Sequence, residues 1–163
     1  SADLHELGIK ERNRIVKKSI EEASDQVAKK LILSPNGKVA VIRRIRSGND
    51  VPFIYEESYL PGSTFRDILE MDLTGSMYQI IHERFNVTLA RSDQKIRAVN
   101  LKGLIASYLD VPEKSAAFFM ESLTYDENNV PVELLYSYYR GDKYVFEIEL
   151  GRYHIEEDRI HHE

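Results

Sequence analysis

Lys38-Val39-Ala40-Val41-Ile42-Arg43-Arg44-Ile45-Arg46-Ser47, then Gly48-Asn49-Asp50, then Pro52-Phe53-Ile54-Tyr55-Glu56-Glu57-Ser58-Tyr59-Leu60, is the stretch from which the fold is read. Alternation places Val39, Val41, Arg43 and Ile45 on one face and Ala40, Ile42, Arg44 and Arg46 on the other, the period of a strand. The turn cluster at Gly48-Asn49-Asp50 makes the two runs a hairpin, and hairpin strands are antiparallel.

Upstream, Ile20, Ala23, Val27 and Leu31 recur at helical spacing, and Ser19 with Glu22 reads as a capping box, so a helix is expected over 19–31. The polar, basic residues before it, up to Lys18, read as a connecting arm. Downstream, Pro61-Gly62 ends the hairpin; a short helix follows over 64–70 and another over 74–85, its start small and polar at Thr74-Gly75-Ser76. A strand is expected over 87–99, then a helix capped by Asn100 with Leu101, Leu104, Ile105, Tyr108 and Leu109 facing inward. Strands over 116–125, 130–140 and 144–150 complete about six strands and four helices.

Laying the halves over each other suggests an internal repeat. Leu31-Ile32-Leu33, turn, strand, polar loop, Val51-Pro52 and a strand with Ser58-Tyr59 are matched by Leu109-Asp110-Val111, turn, strand, polar loop, Val130-Pro131 and a strand with Ser137-Tyr138. Two helix-plus-hairpin units sharing one antiparallel sheet give an α+β class, with a crevice between sheet and helices for a small ligand.

The chain has 163 residues, the length of one domain, and its 42% hydrophobic and 30% charged residues match a folded chain rather than a disordered one. Lys plus Arg number 22 against 27 Asp plus Glu, a net charge of -5 that argues against nucleic-acid binding by this chain itself. The absence of cysteine excludes a disulfide framework, a thiolate metal site and a Cys nucleophile, and fits a cytoplasmic location. No apolar run approaches the roughly 20 residues of a membrane-spanning helix. A start at Ser1, without Met or an apolar leader, reads as an excised or processed product.

Neither HExxH, GxSxG, a P-loop nor GxGxxG occurs, and none of His5, His82, His154, His161 and His162 has metal-ligand spacing; the last two belong to a polar tail. No metal, cofactor or catalytic residue is expected. Arg44 and Arg46 are more informative, since alternation sets their guanidiniums on one strand face about 7 Å apart. Each can donate a planar fork to a phosphate or carboxylate, although a charged strand edge uses arginines in the same way. Ser76 and Tyr78 stand at a helix start, where free amides favour an anion and where an ordinary cap also stands. Glu56 and Glu133 occupy second strands of the two hairpins, suited to ligand hydroxyl or ammonium groups or to pairing with Lys and Arg. Among ten tyrosines, Tyr136, Tyr138, Tyr139 and Tyr144 cluster, with faces suited to a sugar ring or a dimer interface.

Together the run from Val41 to Pro61, Asp72-Leu73 with Ser76-Met77-Tyr78, Ala106 to Val111, Thr124-Tyr125-Asp126, Val130-Pro131-Val132-Glu133 and Tyr139-Arg140-Gly141-Asp142-Lys143-Tyr144 resembles the UTRA domain, the effector-binding half of HutC-type GntR transcription regulators. The likeness covers residues 23–150. It implies a chorismate-lyase-like fold, a mostly antiparallel six-stranded sheet flanked by helices, and a homodimer that contacts operator DNA only through a winged helix-turn-helix domain upstream. Residues 1–18 would then be the linker arm from that domain, 19–155 the effector-binding and dimerisation domain, and 156–163 a C-terminal tail. The effector implied is a phosphorylated sugar or amino sugar. Its phosphate would be held by Arg44, Arg46, Ser76 and Tyr78, and its sugar by Glu56, Glu133 and Tyr139. In relatives, linker residues also cover the ligand; around residues 1–7 that contribution has no assignment here. The alternatives are a chorismate-lyase-like enzyme, a sensor of a non-phosphorylated carboxylate such as urocanate, and a plain dimerisation module.

Overall fold

The structure is a computed structural model that describes residues 10–151. Its strands are β1 (Glu11–Glu22), β2 (Lys38–Gly48), β3 (Val51–Pro61), β4 (Leu89–Asn100), β5 (Ala116–Asp126) and β6 (Pro131–Arg140). Its α-helices are α1 (Asp25–Leu31), α2 (Gly62–Phe65), which runs into a 3-10 turn (Arg66–Glu70), α3 (Met77–Phe85) and α4 (Gly103–Tyr108). One six-stranded sheet has the order β1-β2-β3-β6-β5-β4, and every neighbouring pair is antiparallel. Each half supplies strand, helix, strand, strand, and the halves meet at β3 and β6.

The β2–β3 hairpin closes on Asn49 (φ 49°) and Asp50 (φ 65°), with Gly48 paired to Val51. Two successive left-handed residues make the mirror-image turn whose twist matches that of paired strands. Both hairpins finish on a glycine packed against backbone: a Cβ at Gly62 would lie 2.8 Å from the Lys38 carbonyl oxygen, and one at Gly141 would lie 2.8 Å from that of Ala116.

On one sheet face α1 sets Val27 and Leu31 over Val39, Val41 and Leu134, while α4 sets Ala106 and Leu109 beside Ile45, Tyr55 and Ala117. The opposite face carries two separate apolar clusters. In one, Phe65, Ile68, Leu73, Met77 and Ile81 cover Ala40, Ile42 and Leu60. The other gathers Ile54, Met120 and Tyr139 with Phe118, Tyr144 and Phe146. Arg44, Glu56 and Glu133 lie buried on that second face.

Three expectations change. Residues 11–18, expected as an arm, and 19–22, expected as a helix start, form one edge strand paired along β2. Ser19 donates to Glu21 rather than capping a helix. The cap falls to Ser24, whose hydroxyl accepts from the Val27 amide, and α1 is correspondingly short. Over 144–150, where a strand is expected, no strand is present among the described residues; Tyr144 and Phe146 pack on Tyr139. Finally, β4 continues through Asn100, so α4 begins at Gly103, after Lys102 rather than Asn100, and Leu104 points to solvent. The linker segment 1–7, the tail 156–163 and His5, His154, His161 and His162 lie outside the described residues. No helix among the described residues is long and apolar enough to cross a membrane.

Candidate functional site

Strand alternation brings the Arg44 and Arg46 side chains to one face of β2, and the register sets Glu56 of β3 directly across from Arg44. Glu56 bridges the two guanidiniums, accepting from Arg44 at 3.0 Å on Oε2 and from Arg46 at 3.1 Å on Oε1. Arg44 also donates to the carbonyls of Leu73 (3.0 Å) and Gly75 (2.9 Å). It thereby ties the segment leading into α3 down to the sheet. A buried charge so fully paired is costly to disturb.

Ser76 is the N-cap of α3 and accepts from the Gln79 amide at 3.3 Å. Two residues on, the Tyr78 hydroxyl reaches inward and donates to Glu133 Oε1 at 3.0 Å. The residue is 44% exposed overall. Glu133 accepts a second bond, 2.6 Å, from Ser58. Burial pushes the Glu133 carboxyl up, and the two hydroxyl donors offset only part of that shift. Burial also drives the Tyr78 phenol up, with Glu133 adding to the effect. Tyr139, buried at the other end and packed on Tyr144, is pushed up to about 12 by burial and then by Glu56.

A cavity of about 490 Å³ lies between the sheet and the segment 74–78. Arg44, Arg46, Glu56, Ser76, Tyr78, Glu133 and Tyr139, chosen from sequence, all stand on its wall. Residues that sequence reading missed join them. Glu11 and Asn13 come from β1, and Gln94 and Ser122 from β4 and β5. The signal for the first two was present, since Glu11, Asn13 and Ile15 alternate onto the face shared with Arg46 and Arg44. Asn13 donates to the Thr74 carbonyl at 2.8 Å, while its Oδ1 is buried without a hydrogen-bond partner. Such an acceptor on a cavity wall suits a donor group of a ligand.

A larger hollow, about 590 Å³, lies beside α4. Its charged lining residues, Asp110 and Glu113, are exposed, so it lacks the convergent buried polar groups of a binding site. No cluster of three or more potential metal ligands occurs among the described residues.

The fold and cavity together define a class: a small-molecule-binding α+β domain with a polar cavity on one face of an antiparallel sheet. Residues 6–145 match the UTRA domain, and the chain belongs to that family. It is similar to the HTH-type transcriptional repressor NagR of Bacillus subtilis (strain 168), at 23% identity over 144 residues, covering 88% of this chain and 59% of NagR. It is also similar to the HTH-type transcriptional regulator GgaR of Escherichia coli (strain K12), at 22% identity over 134 residues, covering 82% of this chain and 53% of GgaR. The chain thus spans little more than half the length of these relatives. Among solved structures, the effector domain of PhnF from Mycobacterium smegmatis superposes with a TM-score of 0.87 at 22% identity, covering 93% of each chain. The GntR-family transcriptional regulator from Enterococcus faecalis V583 superposes with a TM-score of 0.79 at 27% identity, covering 85% of this chain and 99% of that one. The antiparallel six-stranded sheet with flanking helices is the chorismate-lyase-like arrangement implied by the resemblance.

Proposed function

We propose that this domain is the effector-sensing part of a GntR-family transcription regulator and that its cavity takes a phosphorylated sugar or amino sugar. The observation that supports this most is the convergence of two guanidiniums and the N-terminus of α3 on one cavity of about 490 Å³. Its size is within the range of small-molecule sites. The ligand's phosphate would lie against Arg44, Arg46, Ser76 and the Tyr78 hydroxyl, where forked donors and the helix dipole both favour an oxyanion. The sugar would extend toward Glu133 and Tyr139, with Glu56 at the junction. Glu133, pushed toward its neutral form by burial, could donate as well as accept a hydrogen bond to a sugar hydroxyl.

In this reading the domain is a homodimer, and operator DNA is bound by a winged helix-turn-helix domain upstream. Ligand binding alters operator affinity only through unequal affinity for two dimer states. No step of covalent chemistry is involved. The regulator names of the relatives support a sensor over a lyase.

Thermal-shift and calorimetric titration against sugar phosphates, their free sugars, inorganic phosphate, urocanate and chorismate tests the proposal. A bound ligand raises stability by RT ln(1 + [L]/Kd). A response to one sugar phosphate and not its free sugar is expected. A response confined to urocanate would replace the phosphate reading with a carboxylate one, and pyruvate released from chorismate would replace the sensor with an enzyme.

A further inference from the structure

The anion site is occupied by the protein's own carboxylates. Arg46 donates through Nε (2.9 Å) and Nη2 to one oxygen of Glu11, and through Nη1 to Glu56. Glu56 satisfies Arg44 as well. Two cations therefore face two carboxylates, Glu11 and Glu56, before any ligand arrives. A phosphate adds negative charge to a site that is already balanced, so one of these carboxylates has to yield.

They are not equally able to do so. Glu56 is 5% exposed, lies in a strand paired on both sides, and is bonded to both arginines. Glu11 is the first residue of edge strand β1, which among the described residues pairs on one side only, and its register partner is Gly48 at the hairpin end. Its carboxylate is directed at the Nε and Nη2 side of one guanidinium, both donors meeting a single oxygen, so the contact falls short of the two-oxygen fork a phosphate makes. Moving Glu11 requires rearranging the end of one strand, whereas moving Glu56 requires breaking the middle of the sheet.

We propose that Glu11 is a tethered counter-ion occupying the anion subsite, and that a phosphate group binds by displacing it from Nε and Nη2 of Arg46. This rests on the anion-binding reading of the cavity. Glu11 is thereby a specificity-determining residue. A ligand must out-compete a carboxylate that is already in place, which a dianionic phosphate does and a single carboxylate on a free acid does poorly. Occupancy of the site is also read out locally: displacing Glu11 loosens the first turnless residues of β1, where the Lys10 amide bonds the Asn49 side chain.

The test is calorimetric titration of the 163-residue chain and of Glu11→Gln and Glu11→Ala with inorganic phosphate and with a panel of hexose and hexosamine phosphates, together with amide hydrogen exchange over residues 10–15. Both variants should bind the phosphate probes about tenfold or more tightly than the unmodified chain, because the competitor has gone. In the unmodified chain, a saturating phosphate probe should speed exchange at residues 11–13. Equal or weaker binding by both variants, with the unmodified chain binding normally, overturns the role of Glu11 and leaves the anion site standing. Absence of phosphate binding by all three chains overturns the anion site and this inference together. Each variant's melting temperature checks that it is folded, which substitution at a strand end allows.

Discussion

The two halves of the sheet have the same element order but different chemistry on the cavity face. The first, β1 to β3, contributes Arg44, Arg46, Glu56 and Glu11, a cluster of ion pairs. The second, β4 to β6, contributes Ser122, Gln94, Leu135 and the neutral-leaning Glu133, with Ser122 bonded to Ser92 at 2.8 Å. Common architecture therefore supports a site with a charged end and a hydroxyl-and-amide end. The edges differ in the same way. In β1 most residues are half-buried, Glu11 and Asn13 of them on the cavity wall, whereas nearly every residue of β4 is exposed.

If charge is concentrated in the first half, perturbations there should dominate. Arg44→Ala should give the largest effect. It strands the buried Glu56 and releases the Leu73 and Gly75 carbonyls, and loss of one partner of a buried pair costs about 3 to 5 kcal/mol. Urea denaturation should show that loss. Arg46→Gln is the milder probe of binding: phosphate affinity should fall about tenfold or more by calorimetry, since a charge-assisted bond contributes roughly 1.5 to 3 kcal/mol.

Where the halves share a device, they should respond alike. Gly62→Ala and Gly141→Ala each place a methyl 2.8 Å from a strand carbonyl, and overpacking of this kind costs about 1 to 3 kcal/mol. Similar shifts in melting temperature are expected; a large difference would break the equivalence of the two hairpins.

Glu133 gives a pH signature from the second half. Its folded carboxyl titrates above the ordinary value of 4.5, so the folded state holds that proton more tightly than the unfolded chain does. The contribution is fully present below about pH 4.5 and is lost as pH rises toward the elevated value. Glu133→Gln should remove this decline, so its stability relative to the unmodified chain should rise across that window in urea melts at stepped pH. The smallest effect is expected from Ser122→Ala, within about twofold on inorganic phosphate affinity, because a neutral hydrogen bond contributes little; it should instead alter discrimination among sugar phosphates.

Much of this was legible in sequence where pattern and partner coincide. The β2–β3 hairpin carries alternation and its own turn, so the shared face of Arg44 and Arg46 followed from period, whereas Glu56 was assigned to the site through the family resemblance. Ser76 at a small polar start marked α3. β1 was harder, because a register shift between Ile15 and Lys17 breaks its alternation, and its continuation into α1 imitates helical spacing. With β1 read as an arm and helix start, Glu11 and Asn13 could not be placed at the cavity. Residues 144–150 show the converse: their alternation is regular, but among the described residues they belong to no strand. Gln94 was hidden because β4 is polar on both faces, and only its register with β5 shows which residues face inward.

The central claim is that the charged half of the cavity binds the phosphate of a phosphorylated sugar. Its most direct test is paired calorimetric titration of the unmodified chain with a hexosamine phosphate panel and the corresponding free sugars, repeated on Arg46→Gln. Binding of one phosphate ester, weakened about tenfold or more by the substitution and absent for its free sugar, is the predicted result. Equal binding of ester and free sugar, unaffected by Arg46→Gln, would contradict it.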